Sequence, residues 1–198
     1  MPPEPNSERR SERARRAVLD AVYELATSKG YAKLTIEAIA ARAGVGKPTI
    51  YRWWSCKGAV ALDALDERIG AATDFPDTGD IAADLTAQIA SVTAMLTGDL
   101  GRVYRGIIGE AQSDPELMAT VREIIVDPRV RQCQERLERA VAAGQLRADL
   151  PTAAMVDLFY APVYYRFLMG GDDAEVARSA DLVRDVLAGL RPAAGARS

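Results

Sequence analysis

One segment, residues 33–57, combines helix and turn signals in an order that leaves few alternatives for its fold. Thr35 has the side-chain oxygen of a good helix N-cap, and apolar residues recur at helical spacing after it. The glycines of Gly44-Val45-Gly46 can adopt the positive φ of a tight turn without steric cost. Pro48 then suits the first turn of a second helix, where its missing N–H is not needed. The two predicted helices are about 36–43 and 47–54.

Two lysines occupy helix positions that helix electrostatics alone disfavours. Lys47 lies in the first turn of the second short helix, and Lys57 in the first turn of the next helix, for which Ser55 is the predicted cap. A cation at a helix N-terminus is unfavourable unless an anion is bound nearby, and a DNA phosphate would be such an anion. Either lysine alone could be an ordinary exposed residue. Because both flank Tyr51-Arg52-Trp53-Trp54, they indicate a DNA-binding helix-turn-helix unit.

This segment, together with a predicted helix at about 11–29, resembles the DNA-binding domain of the TetR (tetracycline-repressor) family of transcriptional regulators. The matching positions are Thr35, Ala40, Gly44-Val45-Gly46-Lys47, Thr49-Ile50-Tyr51, Trp54 and Lys57. The resemblance implies that the second short helix lies in the major groove of DNA. The residues it places nearest to base edges are Lys47, Pro48, Thr49 and Arg52. Those it places at phosphates are Thr35, Tyr51 and Lys57.

Two residues depart from the family pattern. Gly46 replaces a commoner serine, so the recognition helix lacks a side-chain cap. Trp53 stands where an exposed polar or basic residue is usual. Its side chain would either touch DNA or cover the surface of the small domain, and the sequence leaves both possibilities open.

Charge is distributed unevenly along the chain, whose net charge is −3. Residues 1–58 carry net +5 and residues 59–198 carry net −8, a division typical of a DNA-binding module joined to a second domain. The absence of histidine, of a glycine-rich phosphate loop and of metal-ligand spacing disfavours enzyme chemistry. We therefore expect no catalytic residue, no metal and no cofactor. With no apolar leader and no membrane-length apolar run, we expect a cytoplasmic protein without a membrane partner.

Helix starts and stops recur throughout the remaining chain, with proline after a capping aspartate and glycine at helix ends. They predict an all-α fold of about nine helices. Residues 1–58 would form an N-terminal arm and a three-helix helix-turn-helix DNA-binding domain. Residues 59–198 would form a helical ligand-binding and dimerisation domain, in which 59–72 is a connecting helix.

Two apolar stripes run along the last long helices at helical spacing. Their members include Met155, Phe159, Val163 and Phe167 on one helix and Val176, Val183, Leu187 and Leu190 on the other. A stripe of this kind is either a core face or a dimer interface. Because TetR-like proteins dimerise through their last two helices, the resemblance implies a homodimer formed through about 152–190 and a palindromic operator.

The region between the DNA-binding and dimerisation helices holds a small molecule in TetR-like proteins. The side chains that the resemblance suggests for such a site are Met95, Tyr104, Ile108, Met118, Phe159, Tyr160 and Tyr164. We therefore expect a homodimeric DNA-binding regulator, most simply a repressor released from operator DNA by a small-molecule effector. One alternative is a DNA-binding regulator controlled by a protein partner or by abundance. An alternative of another class is a small helical enzyme.

Overall fold

The computed structural model describes residues 7–170 and 172–192, and every regular element in that part is a helix, which confirms the predicted all-α class. The α-helices are α1 (Ser7–Lys29), α2 (Ile36–Ala43), α3 (Lys47–Tyr51), α4 (Lys57–Ile69), α5 (Ile81–Thr97), α6 (Asp99–Ala111), α7 (Pro115–Val121), α8 (Asp127–Ala142), α9 (Thr152–Leu168), α10 (Asp173–Ala177) and α11 (Leu182–Leu190). Residues 1–6 of the predicted N-terminal arm lie outside the described residues.

Several helices continue through short turns of other helical types. A π-helical turn at Arg122–Val126 joins α7 to α8, and a 3₁₀ turn at Arg178–Asp181 joins α10 to α11. The connecting helix α4 likewise continues into a 3₁₀ turn at Gly70–Thr73. Counted as continuous rods, the helices of the described residues number nine, as predicted. Among them, none is long and apolar enough to span a membrane.

The helices pack into two compact units. The first unit contains α1 to α4, most of α6, and α7; the second contains α5 and α8 to α11. These units group residues by packing, whereas the boundary predicted at residue 58 separates functions. That functional boundary stays a prediction.

The core of the first unit includes one buried face from each of α1, α2 and α3. α1 buries Val18 and Val22, α2 buries Ile39, and α3 buries Ile50, all with no exposed side-chain surface. Removing such aliphatic side chains from water stabilises a domain by about 1.5–3 kcal/mol each. The buried faces therefore fix how α2 and α3 are oriented on α1.

The core of the second unit contains both apolar stripes noted in the sequence. The buried members are Met155, Phe159, Val163 and Phe167 from α9 and Val176, Val183, Leu187 and Leu190 from α10 and α11. These residues therefore form the core of the protomer, which is the alternative to a dimer interface. A dimer formed through these helices would have to use other residues.

Candidate nucleic-acid interface

Local capping begins the recognition helix, α3, at Lys47 as predicted, but the helix ends at Tyr51 rather than at the predicted residue 54, because the backbone continues there as a turn in which the Trp53 N–H donates to the Ile50 carbonyl. The Thr35 side chain accepts a hydrogen bond from the Ala38 backbone N–H at 3.1 Å, as expected for the N-cap of α2. Gly44 ends α2 in the left-handed conformation with φ 68°, and its N–H donates to the Ala40 carbonyl. α3 begins at Lys47 after a Gly46 that offers no side-chain cap. The turn between α2 and α3 is therefore set by residues of the turn itself.

The recognition helix has one buried face and one solvent face. Ile50 and Trp54 are buried, and the backbone N–H of Trp54 still donates to the Ile50 carbonyl at 3.0 Å. The exposed residues of this segment are Lys47, Pro48, Tyr51 and Arg52, and Thr49 is half-buried. The side chains assigned to DNA by resemblance thus lie on the side of the helix that the domain core does not use. Thr35 is exposed as well.

A hydrogen-bonded ion pair fixes the end of this segment to the helices around it. The Trp54 indole N–H donates to Asp63 Oδ2 at 3.0 Å, and Arg15 reaches the same oxygen at 2.9 Å. Arg15 also contacts Glu67 at 3.1 Å, so α1 and α4 are linked beside the indole. This arrangement satisfies the buried indole N–H and holds the recognition helix from its C-terminal end.

Trp53 packs against its neighbours in the sequence. Its ring meets that of Trp54 edge-on, with centroids 5.4 Å apart, and the Arg52 guanidinium lies 4.7 Å from its centroid. The indole therefore supports Arg52 by a cation–π contact.

Lys47 already has an anionic partner within the protein. Its ammonium lies 2.7 Å from Glu37 Oε1, and both side chains are exposed. Hydrogen bonding to Glu37 raises the pKa of Lys47, and the same bond lowers the pKa of Glu37. The carboxylate of α2 thus supplies a counter-charge to this lysine within the protein.

Lys57 has the same kind of partner, in a more enclosed setting. Its ammonium lies 2.8 Å from Glu110 Oε2 of α6 and 4.5 Å from the centroid of the buried Tyr31 ring. Burial, together with the negative charge of Glu110, raises the pKa of the Tyr31 phenol, which therefore stays neutral. The two lysines that helix electrostatics singled out are both neutralised by carboxylates of their own unit.

The cap of α4 lies one residue later than predicted. The helix begins at Lys57, and the sulfur of Cys56 accepts the backbone N–H of Ala59 at 3.4 Å. Ser55 was the expected cap because hydroxyl oxygens are the better acceptors. The turn after Trp54 instead brings the Cys56 thiol into the capping position.

The suggested effector residues fall into both compact units. Tyr104, Ile108 and Met118 belong to the first unit, and the structure describes the first two as buried. The members in the second unit are Met95, Phe159, Tyr160 and Tyr164. A single effector site made of all seven stays a prediction. Near Tyr160, sequence reasoning missed Gln88 and Cys133, because their pairing depends on how α5, α8 and α9 pack.

α9 also carries large apolar side chains on its solvent side. Those with the greatest exposure are Leu158 at 46%, Tyr165 at 68%, Leu168 at 41% and Met169, just after the helix, at 70%. Leu158, Tyr165 and Met169 are spaced seven and four residues apart, so they project from one side. We call these three residues the α9 outer face.

Two family descriptions match the chain. The description "Bacterial regulatory proteins, tetR family" matches residues 18–64, which include α2, α3 and part of α4. The description "Tetracyclin repressor-like, C-terminal domain" matches residues 75–186, more than half of the chain. The first match covers the segment whose geometry is described above, and the second covers most of the remaining helices.

Individual proteins give the same result over nearly full length. The chain is 35% identical to the uncharacterized HTH-type transcriptional regulator YdeS of Bacillus subtilis, covering 96% of each chain. It is 30% identical to the DNA-binding transcriptional repressor TetR of Mycobacteroides abscessus, covering 93% of this chain and 98% of the relative. Among solved structures, it is similar to the TetR family transcription regulator SCO0332, with 39% identity and a TM-score of 0.75 over 90% of this chain and 99% of that one.

Proposed function

The chain belongs to the TetR family of transcriptional regulators, and from this we propose that it is a homodimeric repressor that binds a palindromic operator and is released by a small molecule. The observation that carries the proposal is the division of α3 into a buried face and a solvent face. Ile50 and Trp54 hold the helix on its domain, while Lys47, Tyr51 and Arg52 remain available to DNA. The Mycobacteroides abscessus relative is named a repressor, which supports repression over activation.

Release by a ligand requires only that the ligand prefer a conformation whose recognition helices are wrongly spaced. A coupling free energy of about 1–3 kcal/mol between effector and DNA changes affinity by roughly 5–150-fold. The alternative, control by a protein partner or by abundance, predicts that no small molecule changes operator affinity. No observation in the described part of the chain favours the small helical enzyme.

The test is an in vitro selection of sheared genomic DNA by the purified protein, followed by sequencing. Recovery of one palindromic motif, with half-sites about 34–36 Å apart, would support reading by a two-fold symmetric dimer. A single unrepeated half-site would contradict the dimer, and no enrichment over a variant altered in α3 would contradict site-specific binding. Adding candidate effectors to the recovered operator complex then separates the ligand-released repressor from its alternative.

We expect the α9 outer face to hold the two protomers together. Tyr165→Glu places a carboxylate in what would be a buried apolar contact, which is costly without a partner. The dimer should dissociate at least about tenfold more readily, measured by sedimentation velocity over a range of protein concentrations. Ala153→Glu adds the same charge at an exposed position on another side of α9 and should leave the dimer intact. Equal dissociation constants for the two variants would contradict this interface.

Glu110→Gln should strengthen DNA binding. The substitution removes the carboxylate that holds Lys57 at 2.8 Å, so that the ammonium is free to meet a phosphate. Because both side chains are partly exposed, the ion pair is worth at most about 1 kcal/mol, and we expect operator affinity to rise about twofold to fivefold. Fluorescence anisotropy with labelled operator DNA at several salt concentrations measures this change.

The matched control is Glu116→Gln, which makes the same charge change at an exposed position on α7 of the same unit. An equal rise for both variants would indicate a general effect of net charge. Unchanged affinity in Glu110→Gln would show that Lys57 is not limited by its internal partner.

A further inference from the structure

A buried amide lies in the middle of α5, in the second unit. The Gln88 side chain is 3% exposed, and its Nε2 donates a hydrogen bond to the Thr73 carbonyl at 2.7 Å. Its other polar atom, Oε1, is buried without a hydrogen-bond partner. A buried acceptor that makes no hydrogen bond is unfavourable, so this oxygen is a place where a donor would be bound favourably.

The orientation of this amide is determined by its surroundings. A backbone carbonyl can only accept a hydrogen bond, so the Thr73 carbonyl must face the NH₂ group of Gln88. Rotating the amide by half a turn would bring two acceptors together. The unpartnered atom is therefore the carbonyl oxygen, whichever way the amide is first assigned.

Two further polar groups meet Gln88 from neighbouring helices. Tyr160 of α9 and Cys133 of α8 lie close to the Gln88 side chain, and Cys133 has no exposed surface. Burial raises the pKa of the Cys133 thiol to about 12, and burial likewise raises the pKa of the Tyr160 phenol. All three side chains are therefore uncharged at neutral pH, and we call them the Gln88 cluster.

We propose that the Gln88 cluster is the polar end of an effector site, and that Oε1 of Gln88 binds an uncharged ligand through an O–H or N–H donor. This inference rests on the proposed function, because it names the chemical class of the effector. A carboxylate or phosphate ligand would present only acceptors to Oε1. A cation is disfavoured because the three side chains of the Gln88 cluster are uncharged and would give it no counter-charge.

The test uses pairs of probes that differ only in the donor: para-cresol and para-propylphenol, each with its O-methyl ether. Isothermal titration calorimetry of the full-length wild-type protein should show each phenol binding about tenfold or more tightly than its ether, because the ether cannot donate. This comparison needs no variant, so it does not depend on how a mutant folds.

Two substitutions then test whether the preference for phenols over ethers arises at Gln88. Gln88→Met keeps the length of the side chain and removes the acceptor, so phenol and ether should bind alike. Thr93→Val is the control, since Thr93 is also buried on α5 but its hydroxyl donates to the Ala90 carbonyl of its own helix. The preference for phenols should survive in this control variant. Circular dichroism confirms that both variants fold.

Equal binding of a phenol and its ether to the wild type would overturn the inference. Failure of both probes to bind would also overturn it, and would indicate that a trapped water satisfies Gln88 Oε1. A preference retained in Gln88→Met would also overturn it. Operator binding without any probe is measured separately, so its failure would count against the proposed function alone. Phenol binding that leaves operator affinity unchanged would uphold the site and contradict ligand release.

Discussion

Replacing Arg136 by alanine is expected to lower the free energy of unfolding by about 3–5 kcal/mol. The guanidinium is 2% exposed and lies 2.7 Å from Asp84, whose side chain has no exposed surface. Thr78 donates its hydroxyl to the other carboxylate oxygen at 2.7 Å. Without Arg136, the Asp84 carboxylate would remain buried without its counter-charge, which is the costly state. Chemical denaturation followed by circular dichroism, at one protein concentration, measures the loss.

The same pair gives stability a defined dependence on pH. Burial acts to raise the pKa of Asp84, but hydrogen bonds from Thr78 and Arg136 outweigh it and hold the pKa below its ordinary value of 3.8. A carboxyl group whose pKa is lower in the folded state stabilises that state to its full extent at pH values above the unfolded-state pKa. That contribution is lost as the pH falls through the folded-state pKa. The difference in stability between wild type and Arg136→Ala should therefore shrink below about pH 4.

Arg139→Ala is the matched control for this prediction. Arg139 also contacts Asp77, at 3.2 Å, but both of these side chains are more than half exposed. An exposed ion pair of this kind contributes about 0–1 kcal/mol, so the control should unfold almost like the wild type. Equal losses in the two variants would contradict a special role for the buried pair.

The double substitution Lys47→Ala/Tyr51→Ala is expected to weaken operator binding about a hundredfold or more. Lys47 and Tyr51 lie one helical turn apart on the solvent side of α3, and Tyr51 is 53% exposed although it is aromatic. Each direct DNA contact is worth about 1–3 kcal/mol, and removing Lys47 also leaves Glu37 as an unpaired negative charge near DNA. Fluorescence anisotropy with the selected operator and with unrelated DNA measures both affinity and specificity.

The fold should survive this change, because Ile50 and Trp54 hold α3 from the opposite side. The control is Arg42→Ala, which removes an exposed cation of α2 that is paired with Glu24. It should change operator affinity only slightly. A double variant that binds the operator as tightly as the wild type would exclude the solvent face of α3 as the DNA-contacting surface.

Interactions between residues close together along the chain were enough to predict the helix-turn-helix segment and the fold class. Capping by Thr35, the left-handed glycine at position 44 and the early proline at 48 define α2, the turn and the start of α3, since each acts within a few residues of itself. The all-α class follows from the same kind of signal repeated along the chain. Family resemblance then named candidate DNA contacts; most of these side chains are exposed, and their contact with DNA stays a prediction.

Which residues become partners depends instead on how the helices pack against one another. Glu110 lies 53 positions after Lys57, and Arg136 lies 52 after Asp84, so no local pattern could pair them. The α9 stripe through Phe159 was ambiguous because a core face and a dimer face share one helical period. Packing assigned it to the core and left Tyr165 outside. Long-range contacts depend on how whole helices pack together. The spacing of apolar residues along one helix does not specify that packing.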